Sequence, residues 1–176
     1  PSGVLWIGTD DGLNQFVQKT EKFHTIKYNP SNPGSLSNNM IRTIYQDYGG
    51  ILWIGTYSGA LNKFDRKKSV FKNYFQNPAN INSLSDKNVW AICEDNKGFV
   101  WIGTNNGLNR LDRKNNIFIH YFNDPGDPES LSHNLVRSVY QDKRGELWIG
   151  TEGGGLNKYN YEKESFEKFV HDPMDE

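Results

Sequence analysis

One tetrapeptide, Trp-Ile-Gly-Thr, recurs along this 176-residue chain and constrains its fold more than any other feature. The four copies begin 47, 48 and 47 residues apart, at Trp6, Trp53, Trp101 and Trp148. Each copy is followed by a short turn and Leu-Asn, and the last three are preceded by Ser-Leu-Ser and then by Asp-x-x-Gly. Self-similarity at a fixed period marks a repeat architecture, in which each repeat is one supersecondary unit.

Within one repeat, four short segments have the patterns of strands. Residues 40–46 and 51–56 are nearly continuous apolar runs, and residues 60–65 and 69–75 follow after further turns. Asp47 and Gly50 suit the first and last positions of the turn between the first two strands. Four antiparallel strands in about 47 residues are typical of a β-propeller blade, whereas a leucine-rich repeat is about half as long.

Composition agrees with short strands and excludes several classes of protein. Aromatic residues reach 14% and glycines number 17, while 20 Lys+Arg against 21 Asp+Glu leave a net charge of −1. Binding to nucleic acid or to an anionic membrane needs a basic excess, so neither is expected. No apolar run is long enough to span a membrane. The single cysteine excludes an internal disulfide and a Cys-based zinc site.

The repeats predict an all-β propeller of fifteen strands, or about 3.75 four-stranded blades. We expect one propeller segment over residues 1–176, with a partial blade at 3–28 and full blades at 35–77, 83–122 and 130–170. The partial blade begins at its second strand. A four-bladed ring is one alternative. Otherwise the chain is half or a fragment of a seven- or eight-bladed ring, closed either by further blades or by a second copy.

With these motifs in this order, the chain resembles the two-component regulator propeller repeat family from Gly3 to about Val170. The resemblance implies the extracytoplasmic or periplasmic sensor region of bacterial hybrid two-component, histidine kinase or diguanylate cyclase proteins, many of which respond to oligosaccharides. Such proteins usually continue into an immunoglobulin-like domain, a membrane helix and an output domain. This sequence contains none of the three, so any kinase or cyclase activity is expected elsewhere in the parent protein.

Positions that are identical in every repeat are interpreted as scaffold, because each solves the same packing problem in each blade. The tryptophans are expected to fill the space between blades, the glycines to allow close approach, and the asparagines to tie strands and turns together. These positions are Trp6, Trp53, Trp101 and Trp148; Gly8, Gly55, Gly103 and Gly150; and Asn14, Asn62, Asn109 and Asn157.

Positions that differ between repeats are the candidates for a ligand site. They lie in the loops between blades, in the turns between the second and third strands, and at one end of the innermost strands, all near one mouth of the central channel. These residues are Asp10, Arg42, Tyr57, Lys87, Trp90, Asn105, His133, Asn134, Arg137 and Glu152. Arginines, amides, carboxylates and an aromatic side chain suit a polar ligand such as an oligosaccharide. The alternative is that Arg42 and Arg137 pair with turn acids and Trp90 fills a gap between blades.

The opposite face carries basic turns, among them Arg113-Lys114, which we expect to form a solvated rim. No motif for nucleophilic catalysis, metal binding or a cofactor is found, and Cys93 is interpreted as a packing residue of an innermost strand. We therefore expect a non-catalytic recognition module whose partner is a ligand, further blades or a second copy that closes the ring as a homodimer. A carbohydrate-active enzyme is a further alternative, which would bring Asp10, Asp86 and Glu152 together.

Overall fold

The structure, a computed structural model, describes residues 4–66 and 68–170, so the predicted start of the partial blade at residue 3 lies outside the described residues. These residues form fifteen strands in four antiparallel sheets. The first sheet contains β1 (Val4–Thr9), β2 (Gly12–Val17) and β3 (Lys22–Ile26). The second contains β4 (Ile41–Gln46), β5 (Leu52–Thr56), β6 (Leu61–Asp65) and β7 (Val70–Tyr74).

The last two sheets repeat this pattern. The third contains β8 (Val89–Glu94), β9 (Val100–Thr104), β10 (Leu108–Asp112) and β11 (Ile117–Tyr121). The fourth contains β12 (Val136–Gln141), β13 (Leu147–Thr151), β14 (Gly155–Asn160) and β15 (Ser165–Phe169). Strands follow one another in sequence order within every sheet, and the described residues contain no helix. The predicted all-β class, with one three-stranded and three four-stranded sheets, is confirmed.

The sheets stack through apolar faces, and each tryptophan-bearing face packs against the next sheet along the chain. Trp53 and Leu61 of the second sheet are buried against Ile102 and Leu111 of the third. The same arrangement joins the first sheet to the second and the third to the fourth. The innermost strands β4, β8 and β12 contact one another in series. In the described residues, no comparable packing joins the first sheet to the fourth, so the sheets form an arc.

Both ends of the arc carry interface residues that lack a neighbouring sheet. Leu5 is 56% exposed, whereas its counterpart Leu52 is 2% exposed. At the other end Leu156 is 40% exposed, whereas its counterpart Leu61 is fully buried. The tryptophans differ as well: Trp53 and Trp101 are fully buried, whereas Trp148, at the open end, is only partly buried. Trp6 is also only partly buried, although it packs against the second sheet. Four copies of one motif therefore have different surroundings.

The aspartate of each Asp-x-x-Gly motif has a larger role than its predicted place in a turn. Asp95 closes the turn, because its Oδ1 accepts hydrogen bonds from the backbone N–H groups of Lys97 and Phe99 at 2.9 Å. Its Oδ2 accepts the indole N–H of Trp101 at 2.7 Å and the hydroxyl of Tyr161, from the following sheet, at 3.0 Å. Asp95 is fully buried and joins the turn, the tryptophan and the next blade.

The second sheet has the same connection with different chemistry. Asp47 accepts the indole N–H of Trp53 at 2.9 Å and one N–H of Arg113, from the third sheet, at 3.0 Å. Arg113 also forms an ion pair with buried Glu94. The expectation that Arg113 belongs to a solvated rim was therefore wrong. A turn position that looks like surface in one repeat lies between two blades, because the second sheet places Asp47 beside Arg113 and its own sheet places Glu94 there.

The Ser-Leu-Ser motif attaches the loop between blades to the blade that follows. The N–H of Ser85 donates to Oδ1 of Asn109 at 2.9 Å, and its hydroxyl lies 3.0 Å from that of Thr104. Leu84, between the two serines, is 1% exposed and lies in the core between the second and third sheets. Ser37 and Ser132 repeat these bonds in their own blades. In this way the repeated serine, threonine and asparagine hold the blade to its loop.

Candidate functional site

The same irregularity occurs at the start of all three innermost strands. The pairing of β4 with β5, of β8 with β9 and of β12 with β13 shifts register by one residue at this point. The extra residue is Arg42 in the second sheet, Trp90 in the third and Arg137 in the fourth. A β-bulge leaves one residue out of the ladder and redirects its side chain. Three equivalent bulges thus redirect one side chain in each of three blades, all at the same end of the innermost strands.

These three side chains form a stack that crosses three blades. The guanidinium carbon of Arg137 lies 4.1 Å from the ring centre of Trp90, and that of Arg42 lies 5.6 Å away. Since the two arginines come from the blades on either side, the indole has a guanidinium from each neighbouring blade. Such cation–π contacts contribute about 0.5–2 kcal/mol each, more where water is excluded. We call Arg42, Trp90 and Arg137 the mouth stack.

The turns between the second and third strands supply a polar partner for each member of the mouth stack. Asp10 lies 3.3 Å from Nη1 of Arg42. Glu152 accepts a hydrogen bond from Nε of Arg137 at 2.6 Å and forms an ion pair with its Nη2 at 2.5 Å. Asn105 accepts the indole N–H of Trp90 at 2.7 Å. Tyr57 packs edge-on to Trp90, with Arg42 5.3 Å from its ring centre. Seven of the ten candidate residues are thereby in one connected group, whose arginines pair with turn acids as the alternative interpretation expects.

The other three candidates stand apart from this group. Asn134 fastens the loop between blades, because its Oδ1 accepts the N–H of Asn123 at 2.7 Å and its carbonyl accepts that of Gly107. Nδ1 of His133 accepts the N–H of Leu135 at 3.1 Å, which closes a short turn. Lys87 is exposed, three residues before Trp90 in the chain. Oδ1 of Asn134 and Nδ1 of His133 are therefore already hydrogen-bonded to backbone N–H groups of the loop.

The acidic candidates each have separate partners. Asp10 pairs with Arg42, Glu152 pairs with Arg137, and Asp86 accepts the N–H of Asn88 at 2.7 Å within its own turn. Among the described residues no hydrogen bond joins any two of these carboxylates, and no group of histidine, cysteine and acidic residues could hold a metal ion. Cys93 is buried in β8, and burial raises the pKa of its thiol. The arrangement is suited to recognition by hydrogen bonds and charge.

Inspection of the sequence identified the residues of the mouth stack but not the bulges that assemble it. A bulge has no fixed residue signature, and here it carries arginine twice and tryptophan once. The one available signal is the alignment of the repeats, in which Arg42, Trp90 and Arg137 occupy the same position after Ser-Leu-Ser. The contact between these side chains depends on the neighbouring blades.

Three of the repeats match the profile of a known family. The sequence profile of the two component regulator propeller matches residues 35–58, 83–106 and 130–153, each of which runs from Ser-Leu-Ser to the turn after Trp-Ile-Gly-Thr. A search of curated proteins found no match. The part of the chain that the structure describes contains no helix long and apolar enough to cross a membrane.

Solved structures share the arrangement of blades. The extracellular domain of a protein described as a hybrid two component system from B. thetaiotaomicron is 29% identical, with a TM-score of 0.80. The match covers 94% of this chain but only 22% of that one. Virginiamycin B lyase from Staphylococcus aureus is 16% identical, with a TM-score of 0.68 over 99% of this chain and 54% of that one.

PorZ, a surface component of the type-IX secretion system of Porphyromonas gingivalis, is 15% identical with the same TM-score of 0.68, over 95% of this chain and 26% of that one. At such identities the lyase and PorZ show the fold alone. The profile matches and the 29% identical domain relate this chain to propellers of two component systems in sequence as well as in fold. The chain forms an arc of β-propeller blades, and three of its repeats match the profile of the two component regulator propeller.

Proposed function

We propose that this chain is a non-catalytic, extracytoplasmic recognition module that binds a polar ligand, such as an oligosaccharide, at the mouth stack. The observation that carries the proposal is the bulge repeated in three blades, which directs Arg42, Trp90 and Arg137 to one place. Bulges are enriched beside functional sites, where they redirect a side chain. The extracytoplasmic location rests on the resemblance to the extracellular domain of a two component system.

The side chains at these positions support a binding role because the rest of the blade is so closely repeated. Packing residues such as Leu84 and Trp101 have equivalents in the neighbouring blade, whereas the bulge alternates between arginine and tryptophan. The bulged residues also lie outside the main apolar clusters between the sheets. They are thus free to differ without disturbing the core.

A thermal shift screen against a panel of neutral and acidic oligosaccharides tests this function. A ligand that binds only the folded chain raises Tm by mass action, by about 2.7 kcal/mol of unfolding free energy at a hundred times Kd. The variant Trp90→Ala should abolish the shift. The matched control is Tyr48→Ala, which removes an exposed aromatic residue from the turn at the opposite end of β4. A shift that survives Trp90→Ala, or no shift with any oligosaccharide, would contradict the proposal.

Self-association is the second candidate function, and the exposed ends of the arc favour it. One end presents Leu5 and Phe23, 56% and 59% exposed, and the other presents Leu156 and Phe169, 40% and 42% exposed. Inside the chain, residues equivalent to these are buried at the three interfaces between adjacent sheets. The two end faces are therefore the two halves of one further interface of the same kind. Head-to-tail contact of two copies would bring the halves together, and such contacts produce rings when the rotation closes.

Light scattering on a size-exclusion column tests self-association. A homodimer has a mass near twice 20.2 kDa, and Leu156→Lys should convert it to a monomer. Ile81→Lys is the control, because Ile81 is 83% exposed on a loop between blades and lies outside both end faces. A monomeric wild-type chain at micromolar concentration would exclude this function for the chain by itself.

A further inference from the structure

We infer that the ligand of the mouth stack carries an oxyanion, namely the carboxylate or sulfate group of an acidic carbohydrate. This inference rests on the proposed recognition function and specifies its ligand class. It follows from the numbers of hydrogen-bond donors and acceptors at the mouth, from the way the arginines are held, and from the exposure of their acidic partners.

Arg42 brings more donors than the protein uses. A guanidinium has five N–H groups and no acceptor. Among the described residues, its only hydrogen bond is the one from Nη1 to Asp10, at 3.3 Å. The side chain is about a third exposed, so its remaining N–H groups are available to a molecule at the mouth.

Arg137 has a similar surplus. Nε donates to Glu152 and Nη2 forms an ion pair with it, whereas Nη1 is enclosed and has no acceptor within the described residues. A buried donor without an acceptor is costly, and a structure that keeps one has an explanation to be sought. Arg42 thus offers the mouth several N–H groups that lack an acceptor, and enclosed Nη1 of Arg137 is a further donor without one. A neutral sugar hydroxyl brings donors as well as acceptors, but a carboxylate or sulfate brings acceptors only.

Trp90 determines how a ligand can use these donors. A guanidinium from each neighbouring blade covers the indole, and Asn105 accepts its N–H. A sugar ring that stacked on Trp90 would have to displace an arginine. The stack instead holds both guanidiniums in place on the indole, which favours hydrogen bonding over ring stacking as the mode of recognition.

The acidic partners are easily replaced. The side chains of Asp10 and Glu152 are 72% and 58% exposed, so water and salt screen their pairs with the arginines. A ligand oxyanion can take either place on the arginines while the released carboxylate turns to solvent. Asp10 and Glu152 thereby hold Arg42 and Arg137 in position until the ligand arrives, and compete with it when it does.

Isothermal titration calorimetry with two matched pairs of sugars tests the inference. The first pair is trigalacturonate and its fully methyl-esterified form, and the second is a sulfated galactose trisaccharide and its desulfated form. We expect the charged member of at least one pair to bind at least about tenfold more tightly than its neutral partner, because charge-assisted bonds to arginine are about twice as strong as neutral ones. The pair that shows the difference distinguishes carboxylate from sulfate. Raising the salt concentration should weaken the charged interaction only.

Four single variants locate the effect. Arg42→Gln and Arg137→Gln should each weaken the charged sugar about tenfold or more, because both remove a guanidinium fork. Glu152→Gln should strengthen it about two- to fivefold, since it removes a competing but weakly held carboxylate. Arg144→Gln is the control, because Arg144 is an exposed arginine in the turn at the other end of β12. This control should bind like the wild type.

The two proposals fail in different ways. If the neutral and charged members of both pairs bind equally and Trp90→Ala abolishes both, the mouth is a binding site and the oxyanion inference is wrong. If Glu152→Gln weakens the charged sugar, the acid is a ligand contact and the displacement argument is wrong. If no sugar of either pair binds, the oxyanion inference is overturned, and the wider oligosaccharide panel then decides the recognition function by itself.

Discussion

Replacing Asp95 by alanine removes a carboxylate that connects a turn, a tryptophan and the following blade. Its four hydrogen bonds come from the N–H groups of Lys97 and Phe99, the indole of Trp101 and the hydroxyl of Tyr161. Lys97 reaches water and the tyrosine hydroxyl can turn, so two enclosed N–H groups lose their acceptor. Each costs about 1–3 kcal/mol, so we expect Asp95→Ala to lower the free energy of unfolding by about 2–6 kcal/mol.

The same substitution at Asp142 is the matched control. Asp142 has the same sequence position in the last blade, and its Oδ1 accepts the N–H groups of Arg144 and Glu146 at 2.9 Å. Oδ2 of Asp142 lies 3.4 Å from the indole nitrogen of Trp148, and within the described residues no following blade supplies a further donor. Because Trp148 is only partly buried, water can replace the lost acceptor there. We therefore expect Asp142→Ala to cost clearly less than Asp95→Ala.

Urea unfolding followed by tryptophan fluorescence and far-UV circular dichroism measures both variants. The free energy is obtained from the midpoint and the m-value, and an unchanged m-value shows that the folded chain is equally compact. Equal losses in the two variants would refute the reasoning, because the difference is attributed entirely to the neighbouring blade. A loss below about 1 kcal/mol for Asp95→Ala would refute the assigned cost of the buried donors.

Three further outcomes follow from the packing between blades. Gly55→Ala should lower the free energy of unfolding by about 1–3 kcal/mol in the same urea assay, because a Cβ there would lie 2.5 Å from Cγ1 of Val89 in the next blade. Arg113→Leu should destabilise by about 3–5 kcal/mol, because two buried carboxylates lose their cation, whereas Lys114→Ala, on an exposed neighbour, should change little. Burial, together with the charge of the nearby aspartate, raises the pKa of Tyr161, so its contribution to stability is complete below about pH 10 and decreases as the pH rises further. Urea titrations between about pH 8 and 11 should therefore show a shallower loss for Tyr161→Phe, and identical slopes would contradict this.

The blade itself could be derived from sequence because its causes are local. Apolar runs of five to six residues predict strands, and Asp-x-x-Gly predicts the turn, in which Gly98 has a φ of +83°. Each local pattern is weak by itself, but it recurs in several repeats, and comparing the repeats shows that it is not accidental. The observed innermost strand Ile41–Gln46 differs from the predicted 40–46 by one residue.

The candidate site could be predicted only in part. Its residue types were visible because they vary where the repeats are otherwise alike, and Arg42 and Arg137 could be aligned with Trp90. Their contact could not be predicted, because it requires a bulge in each of three strands and the distance between adjacent blades. For the same reason Arg113, in a turn that looked solvated, was assigned to the wrong environment.

By itself the sequence determined the all-β class, the four-stranded blade and the order of its turns, because hydrophobic period and turn chemistry act over a few residues. Only the tertiary structure decided what each copy of a motif does. Trp101 and Trp148 belong to identical tetrapeptides, yet one is fully buried and the other is partly exposed. Burial depends on which sheet stands beside the residue, and a contact between sheets joins distant positions, such as Asp95 and Tyr161, which are 66 residues apart in the chain. Identical local sequences therefore differ in energy and in role according to their neighbours in space.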